Sequence, residues 1–225
     1  MVCGRWGTVD ANRTLRRILS ALSLSEEDQG GYVYLTQMKK FAASISFYWA
    51  SAGLMEADRW TEFRQLMFAE ISYESKRRAA ASILPFTAYD SVNWKFIAGL
   101  ENQYTPISDF LVTLFKADAA SELMMTPQHA EDSFDLLEIN IALGFAHVRL
   151  EEMKKNDGLW FWMPVGRFMW RRRKATLDGR LQEIQEMPAG SPYLKAGMMR
   201  GTPHTAAEII AAVRDHLSKI AGRYW

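Results

Sequence analysis

The chain has 225 residues, and its 27 lysine and arginine side chains nearly balance 26 aspartates and glutamates, giving a formal net charge of +1. This balance excludes the strong global field typical of nucleic-acid binders. A hydrophobic share of 48% is enough for one large domain or two small ones. The single cysteine, Cys3, excludes an internal disulfide. We therefore expect an intracellular protein of a reducing compartment, either the cytoplasm or an organelle interior.

The first predicted element is an amphipathic helix within residues 1–35. Its apolar face is formed by Leu15, Ile18, Leu19 and Leu22. Arginines surround this face and acidic residues are scarce, which is typical of an organelle transit peptide. An ordinary first helix capped by Asp10 or Asn12 fits the same pattern. We expect no secretory signal, because no apolar run follows Met1.

Five helices are predicted within residues 36–158, and we expect them to form the core of a helical bundle. They cover residues 36–52, 58–84 and 91–100, a segment starting at Thr105-Pro106, and a long segment from Thr126-Pro127 to residue 155. Gly53 should end the first of these helices, and Asp58 should cap the second, which Pro85 ends. Residues 41–55 are strongly apolar but shorter than the roughly 20 residues that cross a bilayer. We predict a buried helix there.

The composition changes at residue 159. Residues 160–174, called the aromatic-basic arm below, combine aromatic rings with a run of four basic side chains. The candidate binding residues in it are Trp160, Trp162, Phe168, Trp170, Arg171, Arg172, Arg173 and Lys174. Tryptophan and arginine dominate the energetic centres of protein interfaces, so a protein partner is the leading interpretation. Binding to an anionic membrane surface, binding to nucleic acid and simple internal packing are the alternatives.

The C-terminal part, residues 159–225, is predicted to hold this arm and a helix that packs back on the core. A short helix is expected at residues 177–187 and a final helix at residues 205–221, joined by an irregular connection at 188–203. This connection is longer than usual, so it either lies across the bundle or reaches to a partner. The predicted fold is therefore all-α, an irregular bundle of about seven helices with an aromatic-basic arm before the last one.

Charge is distributed unevenly along the chain. Residues 101–157 hold eleven acidic and four basic side chains, a net of −7, whereas residues 159–225 hold eleven basic and five acidic side chains, a net of +6. Such asymmetry indicates that the two parts face each other or face different partners. Two solvated surfaces of opposite sign would give the same pattern.

Two groups of acidic residues raise the hypothesis of a metal site between helices. Glu70 and Glu74 are four residues apart in the second predicted helix. The other group is His129, Asp132, Asp135 and Glu138. However, the Glu-x-x-His pair of carboxylate metalloenzymes is absent from the sequence. We therefore keep a helical metalloenzyme as a second alternative and assign no metal ligand.

Motifs for nucleophilic or nucleotide chemistry are also absent. The sequence has no G-x-S-x-G elbow, no Walker A loop and no G-x-G-x-x-G run. Cys3 is expected to lie in a mobile N-terminal tail, which makes it a poor candidate for a nucleophile. We therefore expect no catalytic residue and no cofactor. The leading hypothesis is a non-catalytic interaction or structural protein, a subunit of a larger assembly, with membrane association of that assembly left open. Peripheral membrane or nucleic-acid binding is the alternative.

Overall fold

A computed structural model describes residues 7, 9–23, 33–73, 76–80, 105–122, 125–155, 166–169 and 174–224. The eight α-helices in these ranges are α1 (Val9–Ser23), α2 (Val33–Glu56), α3 (Trp60–Met67), α4 (Pro106–Glu122), α5 (Pro127–Lys155), α6 (Lys174–Gln185), α7 (Pro192–Lys195) and α8 (Pro203–Tyr224). Two 3-10 turns, Arg167–Met169 and Met198–Gly201, and one two-stranded hairpin complete the description. The all-α class predicted from the sequence is confirmed.

The long helix α5 forms the centre of the bundle, and α2, α4, α6 and α8 all contact it. Its 29 residues span about 43 Å at the usual rise of 1.5 Å per residue. Pro127 suits the first helical position because it has no N–H to leave unpaired. Thr126 Oγ1 accepts a hydrogen bond of 3.2 Å from the His129 N–H and so caps the helix. Every described side chain from 137 to 146 is buried, so α5 is covered on all sides in its middle.

The N-terminal helix α1 packs against α2, α3 and the hairpin. Leu19 is completely buried, and Leu15 and Leu22 lie partly buried against the same core. Ile18, in contrast, is 46% exposed. The helix therefore buries one side of its apolar face, and this packing supports its interpretation as the first helix of the domain.

The prediction of one helix over residues 58–84 is wrong. Helix α3 ends at Met67, and β1 (Glu70–Tyr73) pairs antiparallel with β2 (Lys76–Ala79). The Phe68 N–H donates to Arg64 O at 3.0 Å and closes the last helical turn. Ile71 then lies 1% exposed in β1, which contacts α1. Burial of Ile71 and the β propensity of the Ile-Ser-Tyr run outweigh the helix-forming residues around them.

The turn between α2 and α3 also differs from the prediction. Helix α2 continues through Gly53 to Glu56, so this glycine does not end it. Asp58 has a left-handed φ of 52° and its N–H donates to Met55 O at 3.1 Å. Asp58 therefore forms the turn, and Arg59 occupies the cap position of α3, where its side chain accepts no capping hydrogen bond from the helix backbone. Aspartate tolerates this backbone conformation better than most residues.

The connection at residues 188–203 lies across the bundle. It contains α7 and the Met198–Gly201 turn, and its apolar side chains enter the core. Tyr193 is 2% exposed, and its O–H donates to Asn140 Oδ1 on α5 at 3.0 Å. Ser191 caps α7 by accepting from the Leu194 N–H at 3.3 Å.

The helix predicted at residues 91–100 lies outside the described residues. None of the described helices is both long and apolar enough to span a membrane.

Candidate functional site

The structure describes only part of the aromatic-basic arm. Outside its described residues lie Trp160, Trp162, Trp170, Arg171, Arg172 and Arg173. Lys174 is the first residue of α6. The binding role predicted for these seven residues stays a prediction. Residues 166–169, in the middle of the arm, lie within the described part of the structure, and the 3-10 turn there packs against α5 and α6.

Phe168 is the exception among the predicted binding residues. Its side chain is completely buried in the hydrophobic core. A ring in that position contributes packing energy to the fold and is not part of an exposed surface. Of the alternatives that the sequence leaves open for the arm, the structure shows internal packing for Phe168.

Arg167, which the sequence analysis did not select, lies at the centre of a buried ion cluster. Its side chain is 2% exposed, and its Nε donates a 2.7 Å hydrogen bond to Asp135 Oδ1. Its Nη2 donates to Glu131. The two acids are four residues apart on α5, so they share one helix face. Lys116 of α4 adds a second cation, with Nζ 3.3 Å from Glu131 Oε2.

A third carboxylate of α5 binds the backbone of the same turn. Ser108 Oγ of α4 donates to Glu138 Oε2 at 2.7 Å. The Arg167 N–H is shared between Ser108 Oγ at 3.0 Å and Glu138 Oε2 at 3.2 Å. We call these five residues, Ser108, Glu131, Asp135, Glu138 and Arg167, the Arg167 cluster. It joins α4, α5 and the middle of the aromatic-basic arm.

Gly166 makes the close approach of the arm to Glu138 sterically feasible. A Cβ atom at position 166 would lie 1.9 Å from Glu138 Oε2 and 2.3 Å from its carboxyl carbon. Any side chain there would displace the carboxyl group or the backbone of the turn. The sequence Gly166-Arg167 therefore supplies both the space and the charge that the cluster needs.

Burial controls the protonation of this cluster. Desolvation raises the pKa of Glu138 to about 8, with a further rise from Asp135, although Ser108 and Arg167 act in the opposite direction. Burial alone would lower the pKa of Arg167, but its bonds to Asp135 and Glu131 raise it overall. At neutral pH a protonated Glu138 leaves two carboxylates opposite the two cations Arg167 and Lys116. The cluster is then electrically balanced, as buried charges require.

The acidic residues considered as metal ligands have other roles. Asp135 and Glu138 bind Arg167, and Asp132 accepts a 2.9 Å hydrogen bond from Gln128 Nε2 on the exposed side of α5. Glu70 lies on strand β1, so its predicted helical pairing with Glu74 is wrong. Within the described ranges, no three His, Cys, Asp or Glu residues could hold a metal ion. The arrangement of Asp135 and Glu138 is that of an arginine site.

Glu56, the last residue of α2, contacts a serine and a histidine of α5 that do not belong to the Arg167 cluster. His129 Nε2 lies 3.3 Å from Glu56 Oε2, and Ser133 Oγ donates to the other oxygen of Glu56. In a Ser-His-acid triad the histidine stands between the hydroxyl and the carboxylate and takes the proton of the nucleophile. Here the carboxylate occupies the middle position. This contact therefore joins α2 to α5 and does not activate Ser133.

Comparison with known proteins assigns no family to this geometry. The chain matches no protein-family model, no curated protein and no solved structure. Any functional conclusion rests on the side chains themselves.

Proposed function

We propose that this chain is a non-catalytic interaction protein, a subunit of a larger assembly, and that its aromatic-basic arm binds a protein partner. The observation that supports this proposal is the burial of Arg167. The side chain at the middle of the arm is fixed inside the bundle by two carboxylates, and its backbone N–H is fixed by a serine and a third carboxylate.

A contribution to folding stability does not by itself explain why the chain has such a buried ion cluster. Replacing a buried ion pair by apolar residues of similar volume is often neutral or stabilising by about 1–4 kcal/mol. What the cluster provides is a fixed position, since the turn approaches Glu138 so closely that a Cβ at Gly166 would lie 1.9 Å from Oε2. A recognition segment with an ordered middle loses less conformational entropy when it binds, which strengthens affinity.

The chemistry on both sides of the turn suits a protein interface. Trp160 and Trp162 precede it, and Trp170 followed by three arginines comes after it. Large rings and guanidinium groups give the strongest single contributions to protein binding. The carboxylates that would be candidates for catalysis, Asp135 and Glu138, are already bonded to Arg167. Both observations favour a binding role over an enzymatic one.

Site-specific crosslinking tests this proposal. A photoreactive benzoylphenylalanine would replace Trp160, Trp162 or Trp170 in separate variants expressed in the source cells. The matched control carries the same amino acid at Glu186, just after α6, where the side chain is exposed. We expect the three arm positions to crosslink one shared protein that the control position does not reach.

A second set of variants separates the kinds of partner. Arg171, Arg172, Arg173 and Lys174 are replaced by alanine, with Arg17, Lys195, Arg214 and Lys219, all exposed, replaced in the control. Loss of the crosslink in the first variant only would support protein binding by the arm. If the purified wild-type chain instead binds phosphatidylserine vesicles or single-stranded DNA through these four residues, and no arm crosslink forms, membrane or nucleic-acid binding replaces the proposal.

A further inference from the structure

A second group of basic side chains lies away from the Arg167 cluster, where α3, α5 and the Met198–Gly201 turn meet. The ring of Phe68 is 4.5 Å from that of His147, between centroids, and the Arg64 guanidinium lies 5.5 Å from the Phe68 centroid. Arg200 Nη2 donates to His147 O at 3.4 Å. Arg64 and the His147 imidazole therefore lie against the Phe68 ring, and Arg200 binds the backbone of His147.

The backbone that positions Arg200 is strained. Met199 and Arg200 have left-handed φ angles of 49° and 61°, and the glycines at 197 and 201 have φ angles of 84° and 78°. Residues with a side chain rarely adopt this conformation, and it persists where the surroundings enforce it, often at binding sites. Gly197 also allows Arg64 to approach, because a Cβ at 197 would lie 2.8 Å from Arg64 Nε.

The hydrogen-bonding capacity of this group is largely unused. Among the described residues, Arg64 makes one hydrogen bond, from Nε to Gly197 O at 3.3 Å, which leaves both terminal nitrogens of its guanidinium available. His147 Nδ1 is buried and has no hydrogen-bond partner among the described residues. Such a buried polar atom is costly unless something binds it.

Among the described residues, negative charge near this group is weak. Glu151 is the acid paired with Arg200, at 3.8 Å from Nη1, and its side chain is 64% exposed. Solvent screens a pair of this kind strongly. Burial, together with the charges of Arg200 and Arg64, lowers the pKa of His147 to about 4, so its ring is neutral at pH 7. A neutral imidazole next to two cations can still donate one hydrogen bond to an anion.

We propose that Arg64 and Arg200, with His147 beside them, bind a phosphate group, either inorganic phosphate or a small phosphate monoester. Two guanidinium groups present paired N–H donors that match phosphate oxygens, and phosphate supplies the negative charge that this group lacks. Arg200 is held by one long hydrogen bond and one long ion pair. Its side chain can therefore turn towards the anion. This site is independent of the aromatic-basic arm.

The test uses the full chain in a buffer without phosphate or sulfate. Inorganic phosphate and phenyl phosphate are titrated by calorimetry, and the His147 ring is followed by NMR across pH. Sodium chloride at equal ionic strength is the salt control. We expect both compounds to bind one site and to raise the pKa of His147. Tighter binding of phenyl phosphate would assign a monoester ligand, and equal binding would assign free phosphate.

Arg200→Gly is the decisive variant because it removes the cation and the backbone strain together. Glycine adopts a φ of 61° without penalty, so the variant should fold and melt no lower than the wild type. Phosphate binding should weaken by at least about tenfold, the size of one charge-assisted hydrogen bond, and Arg64→Gln should act in the same direction. Arg214→Gln, which changes an exposed arginine of α8, should bind phosphate as the wild type does. Unchanged binding in Arg200→Gly and Arg64→Gln, or no phosphate effect beyond that of chloride, would overturn the proposal.

Discussion

Arg167 Nε donates a 2.7 Å hydrogen bond to Asp135 Oδ1, and both side chains are almost fully withdrawn from solvent, at 2% and 0% exposed. Arg167 belongs to the aromatic-basic arm, and Asp135 lies in the first third of α5. The pair therefore connects the segment that we propose as the binding site to the central helix of the bundle. Charges so well shielded from water and salt interact more strongly than a surface pair would.

Removing Arg167 alone should be strongly destabilising. Arg167→Met leaves Asp135 as a buried carboxylate without its counter-charge, a change that costs about 3–5 kcal/mol of unfolding free energy. The double variant Arg167→Met with Asp135→Leu removes both charges and should recover most of that loss. Urea denaturation of the wild type, both single variants and the double variant measures the coupling. Additive losses in the double variant would show that the pair contributes no specific interaction.

Gly166→Ala should destabilise the fold through its contact with Glu138. The new Cβ would lie 1.9 Å from Glu138 Oε2, so the carboxyl or the turn must move, at a cost of about 1–3 kcal/mol. The same substitution should cost clearly less in a Glu138→Ala background, where the carboxyl is absent. Gly179→Ala on α6 is the control, because a Cβ there meets nothing within 4 Å. Equal losses for Gly166→Ala in both backgrounds would contradict the contact.

The stability of the protein should decrease with rising pH because of Glu138. Its pKa is raised from 4.5 to about 8 by burial, so between these values the folded chain keeps a proton that the unfolded chain has released. The contribution is complete below about pH 4.5 and is lost as the pH rises to about 8, by at most about 1.4 kcal/mol per pH unit. The Glu138→Gln variant, which resembles the protonated acid, should lack this loss.

Comparing the wild type with Glu138→Gln separates the effect of Glu138 on stability from the effect of the histidines. Burial lowers the pKa of both His147 and His216, which makes stability increase with pH over their own range in either protein. The difference in unfolding free energy between wild type and Glu138→Gln should therefore change steadily from pH 5 to pH 8 in favour of the variant. Parallel curves would mean that Glu138 is ionised in the folded chain throughout this range.

The helical class could be predicted because periodic apolar positions and prolines mark the helices directly. Thr105-Pro106 and Thr126-Pro127 begin α4 and α5 as expected, since proline is favourable at the first helical position. The hairpin after α3 was missed because its strands are four residues each and contain good helix formers. Burial of Ile71 against α1 decides its structure, and that contact is not visible in the local sequence.

The Arg167 cluster was missed for a similar reason. Glu131, Asp135 and Glu138 are spaced by four and three residues, which places three acids on one face of the most buried helix. That spacing is typical of a helix face that binds a cation, but the acids considered from the sequence did not include Glu131, and Arg167 was not matched to them. The arginine that fills this role follows Asp135 by 32 residues. Its neighbour Gly166 leaves room for the Glu138 carboxyl group, a role that the local sequence does not reveal.

The central claim, that the chain is a subunit that binds a partner through its aromatic-basic arm, is tested most directly by its native mass in a mild-detergent lysate of the source cells. Wild type is compared with a variant in which Trp160, Trp162 and Trp170 are alanine. We predict that the wild-type chain migrates far above its own 25.8 kDa, and that the variant, with unchanged helical content, migrates as a monomer. A wild-type chain that migrates alone at its own mass would contradict the claim.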